Sequence, residues 1–195
     1  MTPDTLRSLL QELRLTREAE LSAKFDRSLP FADGLFDRWE RAKRLGFEAE
    51  VSIYDSACVF GAVRVGAKTW IGPYVMLDGS GGGISIGTTC SISAGVHIYT
   101  HDTVLWALSG GRLLSRTGAV TVGNRVYLGS QSVIARGVSI GDMVVVAANS
   151  FVRDNVPPRT IVGGVPAVPI GHIEGDDDTV RLVFDGATAP LCSAT

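Results

Sequence analysis

The sequence is short of the features that mark several broad classes of protein. It has only three cysteines, Cys58, Cys90 and Cys192, an odd number with no CxxC spacing. A disulfide framework and a thiolate metal centre are therefore not expected, and free thiols in a reducing compartment fit better. No stretch of eighteen apolar residues occurs, so no membrane-spanning helix is expected. The opening MTPDTLRSLLQELR is amphipathic and charged, unlike the apolar core of a signal peptide, and a cytoplasmic location is the expectation. Charged residues make up 19% of the chain and the net charge is -2, with no dense Lys/Arg block. That removes the basic footprint of nucleic-acid binding and any polybasic membrane patch. Histidine is scarce as well, with three in 195 residues. Glycine is plentiful: 23 glycines beside 45% hydrophobic residues suggest one compact unit whose chain turns often between short strands.

The aliphatic residues explain those turns. A branched aliphatic recurs at every sixth residue from Ile53 through Val59, Val65, Ile71 and Leu77, then at Ile86, Ile92 and Ile98, and again from Val122 through Leu128, Ile134, Ile140, Val146 and Val152. Glycine often follows it, and the fourth residue after it is small or β-branched, as at Ala57, Thr69, Cys90, Ser132 and Ser150. A period of six fits neither an amphipathic helix nor a plain strand, so the signal is a repeat architecture. Each hexapeptide makes one short strand and one turn with its aliphatic inward. Stacked coils then share a continuous core that a single coil could not build.

The rhythm breaks twice. Between Leu77 and Ile86 the spacing is nine, with the extra residues in DGSGGG, 78 to 83. Between Ile98 and Val122 no good inward series runs, and residues 101–119 are expected to form a loop extruded from the coils. Leu105, Trp106 and Leu108 in that loop either cap an acceptor pocket or pack on a neighbouring subunit. Residues 1–50 read as helices that cap the open end of the coils, with Phe36 and Trp39 as packing residues. Residues 51–170 are the repeats, and 171–195 form a tail that is acidic at 174–178.

The pattern resembles the left-handed parallel β-helix of hexapeptide-repeat acyltransferases, over about residues 51 to 170. The fold expected is thus an all-β core, a left-handed parallel β-helix with an N-terminal helical cap and one extruded loop. The segment NVPPRTIVGGVPA, 155–167, resembles the end of the acetyl-CoA-dependent members, which include maltose, galactoside and xenobiotic acetyltransferases. The segments IGPYVMLDGSGGGISIG and CSISAGVHIYTHDT look closest to acyltransferases of sugar and polysaccharide pathways. The resemblance implies a homotrimer with its site between the β-helices of adjacent chains, so that His101 of one chain faces the donor-binding coils of the next. It also implies transfer of an acyl group from acetyl-CoA to a hydroxyl or amine of a sugar, nucleotide sugar or related small acceptor, with no metal required.

Chemistry is expected at the mouth of the loop. His97 is the fifth residue after Ile92 and points outward, where it could touch an acceptor together with Trp106. His101 is the third after Ile98, opens the loop, and matches the THD segment that resembles the family's catalytic histidine. Acyl transfer needs a base near neutral pKa to take the acceptor proton and a donor for the oxyanion, and imidazole and glycine-rich backbone supply these. Asp78 and Asp102 are both candidates to orient His101 or hold the acceptor. A covalent cysteine route is disfavoured because Cys90 falls on an inward position. For the donor, Ser130 in YLGS, Ala148 in VAANS and Gly164 in GGVPA match positions that contact pantetheine in the acetyl-CoA enzymes. The sequence departs from the family where Arg153-Asp154 replaces a Thr-Lys pair and where Val168 and Gly171 replace basic residues. Either Arg153 and Arg159 substitute as phosphate contacts, or the donor is another acyl-CoA or an acyl carrier protein. A metal hydratase on the same fold would need three converging histidines, and His172 lies beyond the last coil. A non-catalytic structural or binding subunit would explain the coils but not His101 at the mouth of an aromatic-bearing loop.

Overall fold

The computed structural model describes residues 1–186; Cys192 and the end of the tail lie outside them. The repeat positions become a three-faced coil of parallel strands. On the first face Ser52–Ile53, Trp70–Ile71, Ser91–Ile92, Tyr127–Leu128 and Val145–Val146 stack in register, so that Ile53, Ile71, Ile92, Leu128 and Val146 form one inward ladder. On the second face the ladder is Val59, Leu77, Ile98, Ile134 and Val152. On the third it is Val65, Ile86, Val122, Ile140 and Val156. Strands Cys58–Val65 and Met76–Ile86 run through the corner between the second and third faces without a break.

Burial follows the six-residue phase. Of the fourteen positions picked out by spacing, all are buried except Val59, which is partly buried against the same core. Each fully buried Ile, Leu or Val contributes about 1.5–3 kcal/mol of apolar transfer, so the ladders dominate the stability of the coil. Between the ladders, the corners repeat a left-handed residue at equivalent places, among them Tyr74, Gln131 and Asn149. Such φ values favour glycine and polar residues, whereas the glycines that follow the inward aliphatics are required by space: a Cβ at Gly66 would stand 2.7 Å from the Gly87 carbonyl carbon of the next coil.

The ends differ from the coils. Helix α1 (Pro3–Phe25) starts with Thr2, whose hydroxyl accepts the Thr5 N–H, and none of its residues is buried. Two further helices follow, α2 (Phe31–Leu35) and α3 (Arg38–Arg44). The break lies at Asp37, whose carboxylate accepts the Trp39 and Glu40 N–H groups and so starts α3 afresh. Ala42 and Phe47 join the core, Arg41 donates to the carbonyls of Tyr54 and Ala57, and Asp33 accepts the Ser56 N–H at 2.8 Å. Phe36 and Trp39, expected to pack on the coils, are instead about half exposed, at 48% and 50%. Trp39 stacks under the Arg38 guanidinium, 4.8 Å from its centroid. After the last coil the chain reverses: Thr160–Gly164 pairs antiparallel with Ala167–Glu174, which pairs with Arg181–Phe184. The acidic turn between those last two strands is clasped by Arg159 on Asp176 and Arg125 on Asp177. No helix among the described residues is long and apolar enough to cross a membrane.

Candidate active site

The three extra residues of DGSGGG lay the chain directly against the strand that leads to His101. Asp78 sits in register with Tyr99, and Thr100, fully buried, locks the two strands together at the corner. The Thr100 N–H and hydroxyl both donate to the Asp78 carbonyl, at 3.1 and 2.7 Å, and the same hydroxyl accepts the Gly81 N–H at 2.8 Å. Only glycine fits at 81, because a Cβ there would stand 2.4 Å from the Thr100 oxygen and 2.7 Å from the His101 Cβ. This close approach gathers three side chains. Ser80 donates its hydroxyl to Asp78 Oδ1 at 2.5 Å, and its N–H reaches the same oxygen at 3.1 Å. His101 Nδ1 lies 3.4 Å from Ser80 Oγ and 3.7 Å from Asp78 Oδ2. The His101 side chain is 31% exposed, and its Nε2 has no hydrogen-bond partner among the described residues.

Of the two carboxylates picked out beside His101, Asp78 is the one that reaches it. Asp102 is committed to the base of the loop: Oδ2 accepts from Arg136 at 2.5 Å and Arg116 at 2.9 Å, and Oδ1 from the Val104 N–H at 3.2 Å. The Arg136 guanidinium, with Arg116 behind it, holds the Asp102 carboxyl down to about 2. Around that clasp the loop is a ribbon, His101–Asp102 pairing antiparallel with Arg116–Thr117, and it carries a short helix, α4 (Val104–Leu108). Trp106, on α4, is 51% exposed, and Val104, Leu105, Leu108, Leu113 and Leu114 are exposed beside it. His97 faces outward on the second face, its Nδ1 3.1 Å from the Tyr99 hydroxyl and its ring edge-on to that tyrosine.

The residues matched to the donor lie on a different edge. Ser130, Ala148 and Gly164 each fall two residues past an inward aliphatic of the first face, so they stack at the corner between the first and second faces. The Asn149 N–H donates to the Ser130 carbonyl at 2.9 Å, and the Gly164 N–H donates to the Ser150 hydroxyl at 3.2 Å. Ala148 is exposed, and Gly129 beneath it allows the coils to touch: a Cβ there would stand 2.5 Å from the Ala148 nitrogen. Arg153 remains largely exposed, with Asp154 3.3 Å from its Nε. Arg159 is tied to the C-terminal turn through the Gly175 carbonyl and Asp176. Cys90 is buried on an inward position, as its phase requires, and burial pushes its thiol pKa up. Among the described residues no group of three or more His, Cys, Asp or Glu side chains converges.

Sequence reasoning did not single out Ser80, Thr100, Arg116 or Arg136. Ser80 had a signal, because it sits inside the interruption of the rhythm. Arg136 had none: it meets Asp102 only because a later coil stacks next to the one that throws out the loop.

Known proteins agree with this architecture. Residues 119–153 match the family model described as the hexapeptide repeat of succinyl-transferase. The chain is 28% identical over 171 residues to the galactoside O-acetyltransferase of Escherichia coli, covering 74% of this chain and 84% of that protein. It superposes on a hexapeptide-repeat-containing acetyltransferase from Vibrio cholerae with a TM-score of 0.61 and 30% identity, over 84% of this chain and 92% of that one. The same Vibrio cholerae protein complexed with acetyl coenzyme A gives a TM-score of 0.58 at 29% identity, over 85% and 89% of the two chains. With six-residue ladders, parallel coils and a relative of this identity matched over nearly its whole length, the chain belongs to the hexapeptide-repeat acetyltransferases.

Proposed function

We propose that the protein transfers an acetyl group from acetyl-CoA directly to a hydroxyl or amine of a sugar or nucleotide sugar, with His101 as general base. The observation that carries this is the Asp78–Ser80–His101 cluster at the foot of the ribbon, which leaves Nε2 of a partly exposed imidazole without a partner among the described residues. In the reaction Nε2 takes the acceptor proton as the acceptor oxygen or nitrogen attacks the thioester carbonyl. A backbone N–H at the glycine-rich corner receives the oxyanion, and its collapse expels the CoA thiolate, to which the imidazolium returns the proton. Buried Cys90 is unsuited to a covalent route, so transfer is direct.

Ser130, Ala148 and Gly164 line the pantetheine arm, and Arg153 meets the nucleotide phosphates. The acetyl-CoA complex of the Vibrio cholerae relative supports this donor, and the galactoside O-acetyltransferase supports a sugar acceptor. Trp106 and His97 lie on the acceptor side, and Asp102 holds the ribbon that carries Trp106. The coils wind left-handed, residues 1–50 cap them, and the enzyme works in the cytoplasm. The donor edge and the His101 edge are separated by the second face, so one chain does not bring them together. A homotrimer does, when His101 of one chain faces the donor ladder of the next.

The test is thiol release from acetyl-CoA with a panel of galactosides and nucleotide sugars. His101→Ala should keep its circular dichroism and its sedimentation as a trimer while losing roughly 10²- to 10⁴-fold in turnover. Near wild-type rates would refute the base. Co-expressing His101→Ala with Ala148→Trp chains should restore part of the activity, because mixed trimers contain interfaces with an intact histidine and an intact donor ladder. No recovery would refute a site shared between chains.

A further inference from the structure

We infer that Ser80 is a positioning residue that fixes the tautomer of His101, holding the proton on Nδ1 so that Nε2 is the basic nitrogen. The inference rests on reading His101 as the base, and it comes from counting protons in the cluster. A serine hydroxyl has one proton and two lone pairs. At 2.5 Å from Asp78 Oδ1, a distance ordinary for a hydroxyl on a carboxylate, that proton is spent on Asp78. What Ser80 presents to His101 Nδ1, 3.4 Å away, is therefore a lone pair. The second neighbour of Nδ1 is Asp78 Oδ2 at 3.7 Å, also an acceptor. A bare Nδ1 would face two acceptors, whereas an N–H there points at the Ser80 lone pair and lies beside the Asp78 charge. Asp78 thus acts twice, once directly and once by turning the Ser80 hydroxyl, and Nε2 carries the lone pair that faces outward.

The geometry holds because the insertion leaves it little freedom. The Ser80 N–H is pinned to the same Asp78 oxygen at 3.1 Å, and the neighbouring Gly81 N–H is held by buried Thr100. Apo distances of this length tighten when substrate closes a site. Without Ser80 the imidazole keeps only the longer contact to Asp78. It can then turn over or take the Nε2–H form, which free neutral histidine prefers, and in that form the nitrogen facing the acceptor cannot take a proton.

Nitrogen-15 spectra of full-length protein with labelled histidine read this directly, the His101 signals being identified by their loss in His101→Ala. Wild-type His101, when neutral, should carry its proton on Nδ1. Ser80→Ala should shift the population towards Nε2–H and lower kcat about tenfold with the KM for acetyl-CoA unchanged, and Ser80→Thr, which keeps a hydroxyl, should restore both. A wild-type His101 protonated on Nε2 overturns the inference, as does a Ser80→Ala protein with an unchanged tautomer. Should Ser80→Ala fail to fold, Ser80→Gly, which also removes the hydroxyl and suits a glycine-rich segment, takes its place with the same two outcomes. The two readings fail separately: turnover in His101→Ala tests the base, while the spectrum tests the tautomer whatever the activity.

Discussion

Replacing Gly81 by alanine should separate the placement of His101 from the stability of the coil. The φ of Gly81 is not in the left-handed region, so an alanine costs nothing in backbone conformation there. It does cost space: the new Cβ would be 2.4 Å from the Thr100 oxygen, against an ordinary contact distance of 3.4 Å or more. That oxygen cannot retreat, since Thr100 is fully buried and its carbonyl also accepts the Gly118 N–H at 2.8 Å. Asp78 stays locked to Thr100 through its carbonyl, so the insertion beyond it must lift by about 1 Å, carrying Ser80 away from His101. A misplacement of that size costs about 10²-fold in rate, or about 2.7 kcal/mol of transition-state stabilisation. Overpacking should cost about 1–3 kcal/mol in folding stability, which the ladders of the coil can absorb. The assay is kcat and KM for acetyl-CoA beside thermal unfolding, with Gly46→Ala as a control. Gly46 has a positive φ of 75 and open space around it, remote from the site, so it should lose a little stability and no activity. Wild-type turnover in Gly81→Ala would refute the argument that this close approach sets the position of the base.

Three further outcomes follow from other parts of the molecule. Ala148→Trp should raise the KM for acetyl-CoA while thermal stability changes little, because Ala148 is exposed at the corner and the new ring can swing to solvent; unchanged acetyl-CoA binding by calorimetry would place the donor elsewhere. A thiol reagent on native protein should modify exposed Cys58 and spare Cys90, as read by peptide mass mapping, and labelling of Cys90 in folded protein would contradict its inward position. Asp102 is held at about 2 in the folded protein by Arg136 and Arg116, below the usual value of about 3.9. Its contribution is therefore complete above the usual value and is lost as pH falls through the folded one. Trp106 fluorescence, with Trp39 and Trp70 replaced by Phe, should stay constant down to about pH 4 and change below that; a transition at higher pH would mean that another group holds the ribbon.

Much of this was legible without coordinates because the inward period of a stacked coil is a local property. Whether Ile98 or Val146 faces the axis depends on its phase within its own hexapeptide, so spacing alone identified the inward ladders of the coils, the buried state of Cys90, and the two interruptions where something other than packing happens. Buried residues outside that phase, such as Phe47, Ile84, Val120 and Ile161, were not identified by it. The N-terminal helices were legible only in part. Helical periodicity shows where a helix can form, but whether Phe36 and Trp39 meet the coil depends on how α3 docks, and Arg41 and Phe47 make that contact instead. The site divides in the same way. His101 and Asp78 stood out by their places at the two breaks in rhythm. Which carboxylate faces the imidazole could not be read, since Asp102 is its neighbour in sequence and Asp78 only its neighbour across a strand pair. That choice belongs to the tertiary structure: stacking brings Arg136 from a later coil to claim Asp102, and the DGSGGG bulge carries Asp78 and Ser80 to Nδ1. Sequence sets the phase of each residue around the axis, and stacking alone sets which residues of separate coils meet, because those contacts run along an axis that no local spacing records.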